Sequence, residues 1–530
     1  MLSLRRVLAG ALVLLSTLAH AGLRPDDHLE PGDGAVLLTV TIDYPNFANQ
    51  NAIAALIPPL SVERVDGGAG SAQRYVLGPR VDGMQSTRAY AGSLPPGRYR
   101  IYDVVGSNCK LFCGAGGITM PPAGQLAEFT IVPGHVRFLG TVLVSAHPPV
   151  QPSKDWIVNW AYTDAPDRVL GQRLLSGLYP QLAAAASGGL AEGSWEADSR
   201  GPGAAAAARE LIRRGNAGVF NPSPYGADGF LLGANNGVVK RWTPRDGVRL
   251  LDTGSPYLIR SAIDGGNGRL LAGGEASMLR YSQDDGRTWS DVGAGLPYGI
   301  VIRIAPIGGD ELVFALQQDT KATLYRGKFG DTHWTKVGEW PLQFKFWTGL
   351  AGAQPELQAQ GRRVALTLPT KRGVVVDLDS GATHEITPPG SLAMFSWSAD
   401  GVMRCTCIRS IAANPWESRD QGVTWTDSPI DRWMLLPVFR DEQTGFSFKG
   451  ALFNKKNTAV MQTHDGGKTW TASPPPTVGG WWRPAYSADG KIMLLSGFSV
   501  IDKLLVEQVY WSADEGASWT AWANEGVWQR

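Results

Sequence analysis

Four aspartates recur in one setting, Ser/Thr-x-Asp-x-Gly-x-Thr/Ser-Trp. The copies run from Ser282 to Trp289 around Asp284 and Gly286, from Ser418 to Trp425 around Asp420 and Gly422, from Thr463 to Trp470 around Asp465 and Gly467, and from Ser512 to Trp519 around Asp514 and Gly516. A carboxylate so placed accepts hydrogen bonds from nearby backbone N–H groups and from a Ser/Thr hydroxyl of its own segment, which builds a turn. The glycine permits a positive φ, and the tryptophan supplies a large ring to bury. The cysteines form two close pairs, Cys109 with Cys113 and Cys405 with Cys407. The first pair suits a small-loop disulfide in an oxidising compartment. The second would share one face of a strand, where bridging is expected to be strained. The chain has 7 His, none near either cysteine pair. No zinc spacing results, and neither a metal nor a cofactor is expected.

The elements that must position these residues are short strands. Gly contributes 65 and Pro 35 of 530 residues, and Trp 19, so turns are frequent and aromatics abundant. That combination favours strands over long helices. Lys+Arg at 49 nearly balance Asp+Glu at 48, which excludes nucleic-acid binding through bulk positive charge. The 43% hydrophobic content argues against global disorder. Arg5 and Arg6, the apolar run from Val7 to Leu18 and the small-x-small site Ala19-His20-Ala21 read as a secretory signal over residues 1–21, with a mature start at Gly22 and a periplasmic or secreted location. No later stretch is apolar for the length of a membrane span.

Residues 22–150 carry β-rich runs at 35–42, 98–105, 128–132 and 136–144, separated by Gly and Pro clusters. They read as a small β-sandwich. Residues 151–216 read as a connector with helices over 168–186 and 204–214, preceded by an alternating run, 155–163, able to pair with either neighbour. From 217 to 530 the aspartate segments repeat. Trp242, Trp289 and Trp334 stand about 47 and 45 residues apart, and Trp425, Trp470 and Trp519 about 45 and 49 apart. The gap from Trp334 to Trp425 is about twice that period, so a unit without a tryptophan falls near Thr387. Four strands per unit of about 45 residues is the measure of a β-propeller blade, and about seven units fit.

The segments resemble the Asp-box, or BNR repeat, of sialidases, sortilin-type receptors, xyloglucan-active glycosidases and photosystem II assembly factors. Residues 94–99 also resemble a strand start in transthyretin-like and carboxypeptidase-regulatory-like sandwiches. The Asp-box resemblance implies a mainly β chain with a propeller whose boxes lie between third and fourth strands, away from the central pocket. Asp284, Asp420, Asp465 and Asp514 are then structural. It implies two functions. One is a non-enzymatic scaffold binding an extracytoplasmic protein or glycan. Trp347, Trp397, Trp433, Trp481 and Trp482, on or beside first strands, could then stack on ligand or fill the layers between blades. The other is a sialidase-like or other glycoside hydrolase. Sialidases hold the substrate carboxylate with three arginines, a use suited to bidentate guanidinium. Arg260, Arg303 and Arg483 lie on first strands, where equivalent positions in a ring converge. Tyr257, Asp264, Glu275, Glu507 and Tyr510 have the residue types a hydrolase needs, and no motif selects among them.

If the N-terminal reading holds, the intact mass of protein recovered from an exporting host begins at Gly22. A mass that retains residues 1–21 would contradict it.

Overall fold

The computed structural model describes residues 18–43 except 21 and 25–26, then 59–67, 73–80, 84, 86–104, 128–147, 157–163, 167–185, 190–192, 195 and 202–214. It further describes 220–528 except 319, 343–354, 369–371, 410–411, 433, 435, 452–453, 477–480, 502–503 and 523–526. Cys109, Cys113, Trp347 and Trp433 lie outside the described residues. The chain divides into two compact units, Met1–Tyr44 with Ile53–Arg213, and Pro45–Ala52 with Arg214–Arg530.

Among the described residues, the N-terminal unit holds two sheets. One orders Leu18–His20, Arg74–Leu77, Leu60–Arg64, Gly97–Val104 and Glu128–Ile131 side by side. The other orders Ile157–Tyr162, Val136–His147, Gly34–Asp43, Thr87–Leu94 and Pro79–Arg80, with Leu190–Glu192 alongside Val136–Phe138. Gly34–Asp43 is central, and its described side chains from Ala35 to Thr41 are all buried. Such a run reads as nearly continuous apolar sequence rather than as alternation. Thr39 and Thr41 satisfy their hydroxyls against Thr141 and Thr87, both at 2.8 Å.

The span expected to be a separate connector groups instead with this unit. Ile157–Tyr162 pairs with Val136–His147, which settles which neighbour the alternating run joins. The helix Arg168–Leu178 starts at an Asp167 cap, whose Oδ1 accepts from the Leu170 N–H at 3.1 Å. It seats Gly171 on Phe138, where a Cβ would lie 2.5 Å from the ring. The helix Pro202–Arg214 adds Ile212 to a cluster with Leu143 and Ala161. Short helices are stabilised mainly by such an apolar face, so these two belong where their faces are covered.

The C-terminal unit is mainly β and repeats one element. Seven sheets follow in chain order across 220–252, 259–291, 300–341, 356–386, 391–427, 438–473 and 481–521, each with four consecutive antiparallel strands. Val527–Trp528 adds a fifth strand to the first sheet, parallel to Gly247–Asp252. The fourth sheet is the unit without a tryptophan, and its third turn is built on Asp377, whose Oδ1 accepts from the N–H groups of Asp379 and Ser380.

Neighbouring sheets share apolar layers. Leu231, Val239 and Leu251 of the first sheet cluster with Ile259, Leu270 and Ala272 of the second. Comparable layers join the second to the third, the third to the fourth and the fourth to the fifth. Met394 of the fifth packs against the layer that joins the sixth to the seventh. Phe230, Leu232 and Trp242 of the first sheet then pack with Ile492, Leu494, Val509 and Trp522 of the seventh. The series therefore closes on itself. Trp242 differs from expectation here. It lies within a third strand, Val238–Thr243, and not after the turn that follows, and it stacks on Trp522 with centroids 5.5 Å apart.

Cys405 and Cys407 are joined as a disulfide. Residues two apart on a strand share a face, and their Cα atoms, 5.6 Å apart, lie within the ordinary disulfide span. Both sulfurs are buried in the layer between the fourth and fifth sheets.

Phe314 is fully buried between the second and third sheets, against Tyr325 and Trp334. Phe314→Ala is expected to cost about 3–5 kcal/mol in denaturant unfolding. Val423→Ala, at an exposed position, should change stability by less than about 0.5 kcal/mol. Equal effects would mean the layers do not hold the unit.

Candidate functional site

The aspartate segments build one turn four times. Asp284 Oδ1 accepts from the Ser282 hydroxyl and the Thr288 N–H, both at 2.8 Å, and Oδ2 accepts from the Thr288 hydroxyl at 2.6 Å. Ser282 Oγ accepts in turn from the Gly286 N–H at 2.9 Å. The same bonds recur around Asp420, Asp465 and Asp514. Trp289, Trp425 and Trp470 donate their indole N–H to the carbonyls of Gly286, Gly422 and Gly467 at 3.0–3.1 Å. Trp289, Trp425 and Trp519 lean on the layer between two sheets. The glycines at 286, 422, 467 and 516 all have positive φ, and so do the residues before them, Asp285, Gln421, Gly466 and Glu515. The turn thus needs two left-handed residues in a row.

These hydrogen bonds, the Thr or Ser hydroxyl foremost, hold each of the four carboxyls down at about 2, against an ordinary value of 3.8. Each turn follows a third strand. A third strand runs parallel to the first in such a sheet, so the turns lie at the end opposite the start of the first strands.

The starts of the first strands carry a different group of residues. First strands touch in succession from the first sheet to the fifth, those of the sixth and seventh touch, and that of the seventh touches that of the first. Asn221 begins the sequence at φ 44°, a conformation asparagine tolerates better than most residues. Its Nδ2 donates to the carbonyls of Arg260, 2.9 Å, and Ile302, 3.1 Å, and its Oδ1 accepts from Arg303 Nη1 at 3.1 Å. One buried amide thus ties the first, second and third sheets together and fixes a guanidinium. One step further along, Ser223 Oγ donates to the Ala262 carbonyl at 2.5 Å, and Ser261 Oγ accepts from the Ile304 N–H at 3.1 Å. Gln358 bonds the backbone of Phe395 and Trp397 in the same way from the fourth sheet to the fifth.

Arg260, Arg303 and Arg483, from the second, third and seventh sheets, act on one another here. Arg483 Nη2 lies 3.9 Å from Glu356 Oε1 of the fourth sheet. Desolvation comes first in pulling Arg260 down to about 10, followed by the positive charge of Arg483, with Arg303 adding to it and Glu356 and Glu275 opposing. Arg303 is lowered as well, by burial and by Arg483, against the pull of Glu356. Arg260 remains cationic at neutral pH. Arg260 and Arg303 are half-buried, whereas the Arg483 side chain is 58% exposed.

Glu275 is completely buried and accepts from the Leu258 N–H at 3.1 Å. It heads a turn in which Ala276 and Ser277 are both left-handed, at φ 54° and 55°. Its negative charge acts on Arg260, while that of Glu356 acts on both Arg260 and Arg303.

Other candidates lie elsewhere. Tyr257 is fully buried. Asp264 closes the far end of its strand, accepting from the N–H groups of Gly226 and Gly266. Tyr510 packs in the layer of the sixth and seventh sheets and donates to Gln508 at 2.8 Å. Of the two alternatives for Trp397, stacking on ligand or filling a layer, it takes the second, in the layer between the fourth and fifth sheets. Trp481, Trp482 and Glu507 lie on strands of the seventh sheet, Trp481 and Trp482 on its first. Among the described residues no group of three or more His, Cys, Asp or Glu is placed to hold a metal ion, and no helix is long and apolar enough to cross a membrane.

Sequence reasoning missed Asn221 and Glu356. The Asn221-Pro222 pair reads as a loop, and Glu356 opens the one unit with no tryptophan to mark its phase.

No protein-family model matches the chain, and no curated protein matches it. Among solved structures, YCF48 bound to D1 peptide is 16% identical over 56% of this chain and 92% of that one, at TM-score 0.40. The GH74 enzyme of Niastella koreensis is 13% identical over 60% and 67%, at TM-score 0.32. The computationally designed Ika8 protein is 11% identical over 57% and 96%, at TM-score 0.36.

The depressed carboxyls give the turns a pH signature. A lowered folded pKa stabilises fully above the unfolded value and is lost as pH falls through the folded one. Asp465→Asn is therefore expected to lower Tm at pH 7, with the gap to the parent closing between about pH 4 and pH 2. A gap independent of pH in thermal scans would show that the charge does not support the turn.

Proposed function

We infer that the C-terminal unit is a seven-bladed β-propeller with Asp-box turns, and that the protein is an exported recognition or assembly scaffold without enzymatic activity. Its arginine cluster binds a carboxylate carried by an extracytoplasmic protein or glycan, and its N-terminal unit is a β-sandwich that serves as a second interaction module. The observation that carries the reading is that Arg260, Arg303 and Arg483, from three different sheets, act on one another and on Glu356. Guanidinium grips a carboxylate through two parallel N–H bonds, so a cluster of it in a desolvated place suits a planar anion. A chain with balanced total charge has no bulk field to attract partners, and local clusters must provide recognition.

The same cluster is what a sialidase-like hydrolase would use. That reading also needs a nucleophile and an acid beside the arginines. Of the residue types available, Tyr257 is buried in the core and Asp264 is engaged in a turn at the other end of its strand.

The test is binding of 3′-sialyllactose and of a Glu-rich peptide by calorimetry, which separates glycan from protein carboxylates. At least one should bind, and Arg303→Ala should weaken it roughly tenfold or more. Binding of neither, or binding unaffected by Arg303→Ala, contradicts the site. Turnover of a fluorogenic sialoside or of xyloglucan oligomers, lost in Arg303→Ala, would overturn the scaffold reading in favour of the hydrolase.

A further inference from the structure

We propose that Glu356 is a resident stand-in for the ligand: the carboxylate of this glutamate occupies the arginine cluster in the free protein and is displaced when a carboxylate ligand binds. This rests on the anion-site reading above.

The three arginines are held unequally. Arg303 is anchored, because Asn221 Oδ1 accepts from its Nη1 and Asn221 itself is fixed by two backbone carbonyls. Arg260 has the negative charge of Glu275 near it, on a carboxylate seated against the Leu258 N–H in a turn of two left-handed residues. Backbone strain of this kind persists only where the surroundings enforce it. Those two guanidiniums are built in. Arg483 is the exception. Its side chain is more than half exposed, and its ion-pair partner Glu356 comes from the fourth sheet, three places away around the closed series.

That pair is loose. At 3.9 Å it is well beyond the 2.7–2.9 Å of a charge-assisted hydrogen bond. Glu356 is also tied through its backbone, whose N–H donates to Thr367 Oγ1 at 3.2 Å, so the strand stays in place when the carboxylate swings away. The charge of Glu356 acts on Arg260 and Arg303 as well as on Arg483. The charge of one glutamate, paired with Arg483 across the series, thus reaches all three guanidiniums, as a ligand carboxylate's would. Its side chain is one-third exposed, which gives it water to return to once displaced.

The arrangement makes the site selective. A weakly charged or neutral partner cannot replace Glu356, and a carboxylate succeeds only by matching or exceeding its hold. Free arginines are also kept from collecting stray anions.

Titration of citrate, a tricarboxylate probe, into the full chain tests this by calorimetry. Glu356→Gln keeps the shape of the side chain and removes its charge. It is expected to bind citrate about five- to tenfold more tightly than the parent, the effect of one unit charge removed at close range in a partly solvated site. Glu356→Ala should show the same gain, and thermal scans of both variants check folding. Arg303→Met should weaken binding roughly tenfold or more in the parent and in Glu356→Gln alike. Binding in the parent that is unchanged or weakened in both Glu356 variants overturns the stand-in and leaves the anion site intact. Absence of binding in every variant overturns the anion site, and this proposal with it. A parent that does not bind while Glu356→Gln does is the strongest support.

Discussion

The apolar layers between neighbouring sheets are what the C-terminal unit depends on. A single four-stranded sheet of this size exposes two apolar faces and cannot bury either alone. Layers join the first sheet through to the fifth and the sixth to the seventh, Met394 of the fifth packs on the latter, and the first and seventh cover one another through Trp242, Trp511 and Trp522. Val527–Trp528, added to the first sheet from the far end of the chain, fastens the same seam with backbone hydrogen bonds.

Closure also fixes where chemistry can occur. Because first strands neighbour first strands, their starting residues are brought together however far apart they lie in sequence. Asn221 reaches Arg260 and Arg303, and Arg483 reaches Glu356, for this reason. The aspartate turns sit at the other end of the sheets and are satisfied within themselves, so the two kinds of recurrent polar residue have separate tasks. The turns hold third strands to fourth. The starts of the first strands carry a guanidinium, a carboxylate and an amide.

The period and the turn were legible in the sequence because both are local. A serine or threonine, an aspartate, a glycine and a tryptophan at fixed spacing state the hydrogen bonds of the turn almost completely. What the spacing did not state was the second left-handed residue, filled by Asp285, Gln421, Gly466 and Glu515 without a common side chain. The arginines were legible once a ring was assumed, since equivalent positions then converge. Glu356 was not, because its sheet lacks the tryptophan that sets the phase. Asn221 was not, because a positive φ before a proline resembles a loop. The helices of 168–214 were visible by composition, but their place was not, since only tertiary contact shows which sheet covers an apolar face. Trp397 shows the same limit: a tryptophan on a first strand serves a ligand or a layer depending on which side of the sheet it faces, and it faces the layer.

The central claim is that arginines from separate sheets act on one ligand. A double-mutant cycle with Arg303→Met and Arg483→Met, read as citrate affinity, addresses it most directly. Two groups that grip the same carboxylate are coupled, and the account predicts an interaction energy of at least about 0.5 kcal/mol between the two substitutions. Additive losses, with no coupling beyond error, would mean that the two guanidiniums do not share a ligand.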